Sequence, residues 1–310
     1  MGRADTYLQP QATDPVLTED VVLGLARRHV PARVVTGVDE SGGEARVYMV
    51  DDDIVVKTQR PHRLRPRTSL AKEAYLLELL APRLAGTIPT LLGYDQVDTA
   101  QGIVEYVCMT RIPGRAVRDV TMAAEARRAM LREVGRVLRT LHETPVDTGR
   151  LPTDNDADAL RRRLEFGFGD ITDAFAERGE AAPPLPSTVD SLIARVLAGV
   201  PDRLTEPPVV LHSNPSPTHV YADPTTGRFA GIIDFGDSYV SHPALDLHRW
   251  PDPVDRILLR DAYLDGAAAE PQFDRMWTIA MIYADLAAIA SQSSCASDAA
   301  RDLGARLDHL

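Results

Sequence analysis

The stretch LHSNPSPTH (residues 211–219) decides how this chain is read. It is a polar loop with two prolines, set between the apolar runs Val209-Val210-Leu211 and Val220-Tyr221-Ala222. After the turn DPTTGR (223–228), a second apolar run, Phe229-Ala230-Gly231-Ile232-Ile233, ends in Asp234-Phe235-Gly236-Asp237. Short β-branched runs bounded by Gly, Pro and Asp predict strands joined by a tight turn. Two short strands therefore enclose a turn and present polar loops at their ends.

Upstream, RVVTGVDESGGEARVYMVDDDIVVKTQ (33–59) holds three strand-like runs separated by a Gly/Ser turn and an acidic turn. This predicts an antiparallel meander with Lys57 at the end of its third strand. A short helix over 17–30, capped by Thr18 and stopped by Pro31, precedes it. A helix over 67–84 follows, with Ala71, Ala74, Leu77 and Leu80 on one stripe. IVEYVCMTRI (103–112) is a further strand, closed by Pro113-Gly114.

From residue 121 the texture turns helical. Met130, Val134, Val137, Leu138 and Leu141 recur at helical spacing. A second helix is expected over about 156–167. AAPPLPS (181–187) reads as a break. Ser187 with Asp190 resembles a capping box for a helix to about 199, and the tail from 253 is helical. The fold class is α+β. The predicted division is residues 1–112, a small antiparallel sheet with one main helix, and residues 113–310, mostly helical.

Composition narrows the function. The 310 residues are 44% hydrophobic and 25% charged, an ordinary globular balance, with a net charge of −11. Such a chain is poorly suited to nucleic acid or an anionic membrane. Cys108 and Cys295 are too few for a disulfide framework or a zinc site, so a reducing cytoplasm is expected. No apolar leader opens the sequence, and the apolar stretch 277–290 is too short to span a bilayer. MGRADT fits a loose myristoylation pattern with no basic patch behind it and reads as chance.

Four features stand in one order: the glycine-containing turn (Gly37, Ser41, Gly42, Gly43), Lys57, the 211–219 loop and IIDFGD (232–237). In that order they resemble the aminoglycoside phosphotransferase family of small-molecule antibiotic kinases, which have a two-lobed, protein-kinase-like fold. His212 to His219 is similar to the family's H-G-D-x-x-x-x-N loop, and Asp234-Phe235-Gly236 to its D-[FWL]-[GE]. HPALDL (242–247), LHETP (141–145) and RIPGR (111–115) are similar to further family segments, so the resemblance covers nearly the whole chain.

The resemblance implies a role for each matching residue. Lys57 would meet the α/β-phosphates of ATP or GTP, held by Glu73 in preference to Glu78. Ser41, Gly42 and Gly43 would cover the phosphates. The backbone around Cys108, Met109 and Thr110 would meet the base. His219 and Asp234 would hold Mg²⁺, and position 214 would be the catalytic base. His212 would belong to the catalytic set, bonding the catalytic-loop backbone or sharing directly in the chemistry, and Asp246 would brace the loop.

Two positions depart from the family pattern. The base position holds Asn214, and a neutral amide cannot accept a proton at ordinary pH. Losing a general base typically costs about 10²–10⁴-fold, so strongly reduced transfer is expected. The rest of the set is intact, which favours an isolated exchange, engineered or natural, over the decay of a whole site. His219 replaces the usual Asn; imidazole suits Mg²⁺ less well and Mn²⁺ relatively better. Macrolide phosphotransferases are similar in having His there.

Asp237, Trp250, Trp277, Tyr283 and Asp285 are weaker candidates for substrate contact. The implied partner is a small-molecule antibiotic (aminoglycoside, macrolide or nucleoside, the capuramycin type included), with no nucleic acid or membrane, in a monomer or homodimer. A nucleotide-binding pseudokinase and a metabolic small-molecule kinase are the alternatives.

Overall fold

A computed structural model describes residues 7–100, 102–178 and 185–310. The MGRADT pattern and most of the proline-rich break lie outside the described residues. In chain order the elements are α1 (Glu19–Ala26), β1 (Val35–Asp39), β2 (Ala45–Val50), β3 (Ile54–Gln59), α2 (Leu70–Leu84), β4 (Leu91–Thr99), β5 (Gly102–Thr110) and β6 (Arg115–Ala116). They continue with α3 (Ala124–His142), α4 (Ala157–Arg178), α5 (Val189–Ala198), β7 (Val209–Leu211), β8 (Val220–Ala222), β9 (Phe229–Ile232) and β10 (Tyr239–Ser241). The last three are α6 (Pro253–Leu264), α7 (Pro271–Ala290) and α8 (Ala296–Leu307). The chain is α+β and forms two compact units.

The sheet unit comprises residues 6–130 and 217–238. Its main sheet has the order β1-β2-β3-β5-β4, antiparallel throughout. Strand alternation sends successive side chains to opposite faces. Tyr48, Val50, Ile54, Val56, Val104, Tyr106 and Cys108 form one face and pack on Val22, Leu23, Leu25 and Ala26 of α1. Lys57, paired with Val47 and Val107, belongs to the other face. There α2 packs on β4 and β5. A smaller sheet, β6-β8-β9, completes the unit. Gly114 has φ +90°, and a Cβ on it would stand 2.3 Å from the Ala222 carbonyl oxygen, so only glycine lets β6 approach β8.

The helical unit comprises residues 131–216 and 239–310, with the described part beginning at α3. Leu131, Val134, Leu138 and Leu141 of α3 are buried. The long α7 buries Phe273, Met276, Ile279, Ile282, Leu286 and Ile289 and packs on α8 and α4. The short pair β7–β10 is antiparallel. Among the described residues no helix is long and apolar enough to cross a membrane.

Several local expectations shift. α1 ends at Ala26, not at residue 30, and Thr18 makes no side-chain cap bond. In α2 the buried stripe runs through Leu70, Glu73, Ala74, Leu77 and Leu80, while Ala71 is exposed. α4 runs to Arg178 and not to about 167, because Leu160, Leu164, Phe168 and Ile171 sustain one buried stripe. Gly167 lies within it, against Tyr283, whose ring would be 3.0 Å from a Cβ. Thr188, one residue after the expected cap, accepts from Ser191 N at 3.3 Å and starts α5. β4 was not expected, since half of LLGYDQVDT is polar and it forms a largely exposed sheet edge.

Candidate active site

The centre of the sheet unit's polar chemistry is Lys57. Its position on β3 puts its side chain on the α2 face of the sheet. There Nζ lies 2.8 Å from Glu73 Oε2 and 2.5 Å from Asp234 Oδ1. Burial favours the neutral amine, but Asp234 and Glu73 outweigh it and raise the Lys57 pKa. Glu73 is fully buried on the first turn of α2, which Ser69 caps by accepting from Lys72 N. Burial pushes the Glu73 carboxyl up, and the Lys57 ammonium opposes that shift. The second carboxylate oxygen of Glu73 accepts from Phe235 N at 3.3 Å, tying the helix to the loop after β9. Glu78 is exposed and takes no part in this pairing.

The hairpin β8–β9 sets the rest. Val220 pairs with Ile232, and Ile233 N donates to the His219 carbonyl at 3.0 Å. Two residues far apart in sequence thereby flank one register, with His219 Nε2 at 3.3 Å from Asp234 Oδ2. Asp234 has φ +75°, a left-handed conformation that a non-glycine residue holds at a cost and that clusters at functional sites.

These two donors fit a divalent cation. Neighbouring ligands of an octahedral Mg²⁺, each at about 2.1 Å, stand about 3 Å apart. Among the described residues no group of three or more His, Cys, Asp or Glu side chains forms a metal cluster. Two protein ligands suffice where phosphate oxygens and waters supply the remainder.

The loop after Asp234 is fastened to the start of α2. Ser69 N donates to the Gly236 carbonyl, Lys72 Nζ to the Ser238 carbonyl at 2.9 Å, and Thr68 Oγ1 to Asp237. Asp237 is thus a loop acceptor at this position. The turn 41–43 is exposed between β1 and β2, with Ser41 N donating to Asp39 Oδ1 at 2.8 Å. Its shoulders are anchored by Glu40 to Arg46 at 2.5 Å and by Glu44 to Arg65. Met109 shares the face of Lys57, whereas the Cys108 thiol faces the α1 core, where burial pushes its pKa up to about 11. Thr110 Oγ1 accepts from Thr90 N at 2.8 Å.

In the helical unit the loop after β7 is braced from below. The fully buried Asp246 accepts from His212 N at 2.6 Å and from Ser213 N at 2.8 Å, and His142 Nε2 is 3.1 Å from it. Ser213 has φ +81°, and its carbonyl accepts from Arg249 Nε at 2.9 Å. His212 Nδ1 accepts from Asn214 N at 3.3 Å, and the Asn214 carbonyl accepts from Ser216 N at 2.8 Å. The backbone of Asn214 is therefore fixed by its neighbours. Sequence reasoning passed over Arg249 and His142 as individual residues, although His142 stands in the LHETP segment.

The remaining candidates divide. Trp250 is buried, and so is Asp285, which lies 3.1 Å from Arg256 and 2.7 Å from Arg306. Trp277 and Tyr283 are partly exposed on α7. Tyr283 makes edge contacts with Phe168 and His248 at ring distances of 5.2 and 5.4 Å. The structure groups Asp285 with Arg256 and Arg306, and does not group it with Trp277.

Residues 36–277 match the sequence model of the phosphotransferase enzyme family, APH. The chain belongs to that family. It is a phosphotransferase enzyme of protein-kinase-like fold. It is 29% identical over 220 residues to an aminoglycoside 3'-phosphotransferase of Streptomyces fradiae, covering 68% of this chain and 76% of that protein. Among solved structures, macrolide 2'-phosphotransferase MphH from Brachybacterium faecium superposes with TM-score 0.57 at 22% identity, over 94% of this chain and 97% of that one. ADP-bound aminoglycoside phosphotransferase APH(2'')-Ib has TM-score 0.57 at 15% identity, over 94% and 98% of the two chains. These two likenesses extend to the fold.

Proposed function

We propose that this phosphotransferase acts on a hydroxyl of a small antibiotic-like natural product, using the γ-phosphoryl group of ATP or GTP, and so inactivates it. The observation that carries the reading is the single cluster of Lys57, Glu73, Asp234 and His219. An ammonium, a buried carboxylate that holds it, and a carboxylate–imidazole pair suited to a divalent cation are what phosphoryl transfer asks of a protein. Residues 1–112 would supply most of the phosphate-binding set, and residues 113–310 the catalytic loop, the metal pair and the acceptor contacts. The relatives named above act, by their names, on aminoglycosides and macrolides, which supports an antibiotic hydroxyl as acceptor.

In this reading Lys57 would orient the α/β-phosphates, Glu73 would fix the amine, and Asp234 with His219 would hold Mg²⁺. The bound cation would neutralise charge on the phosphate oxygens. The acceptor hydroxyl forms its new O–P bond as the γ-phosphorus leaves the β-phosphate oxygen, and nucleoside diphosphate departs. The hydroxyl proton needs an acceptor, and position 214 is where one would stand. Asn214 cannot take it, so this chain transfers slowly while nucleotide binding persists.

The experiment is restoration of the base. Asn214→Asp is expected to raise transfer about 10²–10⁴-fold, read as radiolabelled phosphate on a panel of aminoglycosides, macrolides and nucleoside antibiotics. A revertant that modifies none of these but phosphorylates a sugar, choline or homoserine-like metabolite would select a metabolic kinase. A revertant that binds nucleotide and transfers to nothing would select a pseudokinase, the reading that Asn214 alone favours.

A further inference from the structure

The segment between β3 and α2 carries Arg60, His62, Arg63, Arg65 and Arg67, a concentration of positive charge in an acidic chain. Arg60 turns back to Asp14, 2.8 Å away. Arg65 does not. Its Nε donates to Glu44 Oε1, and Nη2 stands 3.8 Å from the point that a Cβ on Gly43 would occupy. The charge of Asp237, which Thr68 holds, also reaches it. The guanidinium therefore stands beside the glycine turn, while the Arg65 carbonyl accepts at 3.2 Å from the N–H of Thr68, whose hydroxyl holds Asp237 in the loop that follows Asp234, all within the sheet unit.

Charge balance gives that placement a purpose. Lys57 contributes one positive charge to its cluster, and Glu73 and Asp234 contribute two negative ones. A nucleoside triphosphate carries about four negative charges, so even with one divalent cation at Asp234 and His219 the site stays short of positive charge. The planar fork of arginine suits phosphate oxygens better than a point charge does.

We propose that Arg65 reads the terminal phosphate of the bound nucleoside triphosphate, and that Glu44 is its stand-in partner, released when the γ-phosphate arrives. The inference rests on the phosphotransferase reading above and adds a residue to it. Glu44 offers one negative charge in a half-open site, whereas a γ-phosphate offers more charge and three oxygens, so the exchange runs toward the nucleotide. A nucleoside diphosphate lacks that group and leaves the Arg65–Glu44 pair in place.

Isothermal titration of the chain with ATP and with ADP, each with Mg²⁺, tests this without relying on turnover. Arg65→Ala is expected to weaken ATP binding about tenfold and to leave ADP affinity essentially unchanged. Arg65→Lys should fall between. Glu44→Gln frees the guanidinium and should tighten ATP while leaving ADP unchanged. Equal losses of ATP and ADP in Arg65→Ala, or weaker ATP binding in Glu44→Gln, would show that the pair merely props the turn and would overturn the proposal. If Arg65→Ala melts before titration, Arg65→Lys and Glu44→Gln decide it by the same criteria. A parent chain that binds neither nucleotide would bring down the phosphotransferase reading itself. A parent that binds both, with no discrimination by the variants, would bring down the role of Arg65 alone.

Discussion

Lys57 Nζ lies 2.5 Å from Asp234 Oδ1, closer than it lies to Glu73. A lysine on a central strand and an aspartate at the end of a hairpin, 177 positions apart, are thus joined directly. Asp234 also faces His219, so a single carboxylate is shared between the amine and the imidazole. In the function proposed above, phosphate binding and cation binding would be coupled through that side chain, since whatever engages one of its oxygens alters what the other meets.

Removing the amine should be felt before any ligand is added. Lys57→Ala leaves Glu73 fully buried with a negative charge and no ammonium. Breaking a buried pair by deleting one partner costs about 3–5 kcal/mol, while replacing both by apolar groups is often nearly neutral. Urea unfolding should show a large drop for Lys57→Ala and substantial recovery in Lys57→Met/Glu73→Leu. Because the Lys57 pKa is raised above its ordinary 10.5, the pair's contribution is fully present below that value. It is lost only as pH climbs through the higher folded value. In Lys57→Ala the Glu73 carboxyl loses the ammonium that opposes its upward shift, so the unfolded chain releases that proton more readily than the folded one and the drop should be at least as large at pH 9 as at pH 6; a drop confined to pH 6 would contradict the pairing.

The loop after β7 offers a second test. Asp246 takes the N–H groups of His212 and Ser213 and faces His142. In Asp246→Ala a buried and a partly buried donor lose their acceptor, at about 1–3 kcal/mol each, so a destabilisation of roughly 2–6 kcal/mol is expected. In the Asn214→Asp background, Asp246→Asn should keep the fold and lower the transfer rate, since an amide of the same shape accepts through only one oxygen. Full transfer activity in that variant would show that the brace does not set the geometry of position 214.

The parts legible in the sequence were those carried by order and spacing. The meander and the place of Lys57 on its third strand were read from the pattern; the structure adds that Ile54 and Val56 face the α1 core and residue 57 takes the opposite side. What stayed hidden was long-range. The resemblance pairs His219 with Asp234, but no local signal tells that Asp234 also reaches Lys57, 177 positions away. β4 was missed because an exposed sheet edge does not need an apolar pattern, and α4 runs past the expected end near 167, with Gly167 packed against Tyr283. The expectation for Cys108 concerned its backbone, and its thiol packs in the α1 core on the face opposite Lys57.

Asp285 separates an acceptor contact from a structural charge. It lies fully buried between Arg256 on α6 and Arg306 on α8, and joins three helices. Asp285→Ala leaves two guanidiniums with no carboxylate between them, and a loss of about 3–5 kcal/mol is expected. Thermal melting should fall sharply, with Asp285→Asn falling less. A variant that melts like the parent but binds an acceptor antibiotic poorly would return Asp285 to the substrate site.

His248 gives the chain a pH signature. Burial, reinforced by the charges of Arg249 and Arg256, pushes its pKa well below the ordinary 6.5, so it is neutral in the folded state. The unfolded chain takes up a proton at that position as pH falls through 6.5, and the folded chain does not. The unfolded state then binds more protons, and stability declines toward acid by up to about 1.4 kcal/mol per pH unit until the folded group itself titrates. Above pH 6.5 the effect is absent. His248→Phe keeps a ring against Tyr283, which the imidazole meets edge-on at 5.4 Å, and removes the proton site. Urea midpoints at pH 7.5, 6.5 and 5.5 should therefore fall more steeply for the parent than for His248→Phe. Parallel curves for the two would assign the acid sensitivity to other groups.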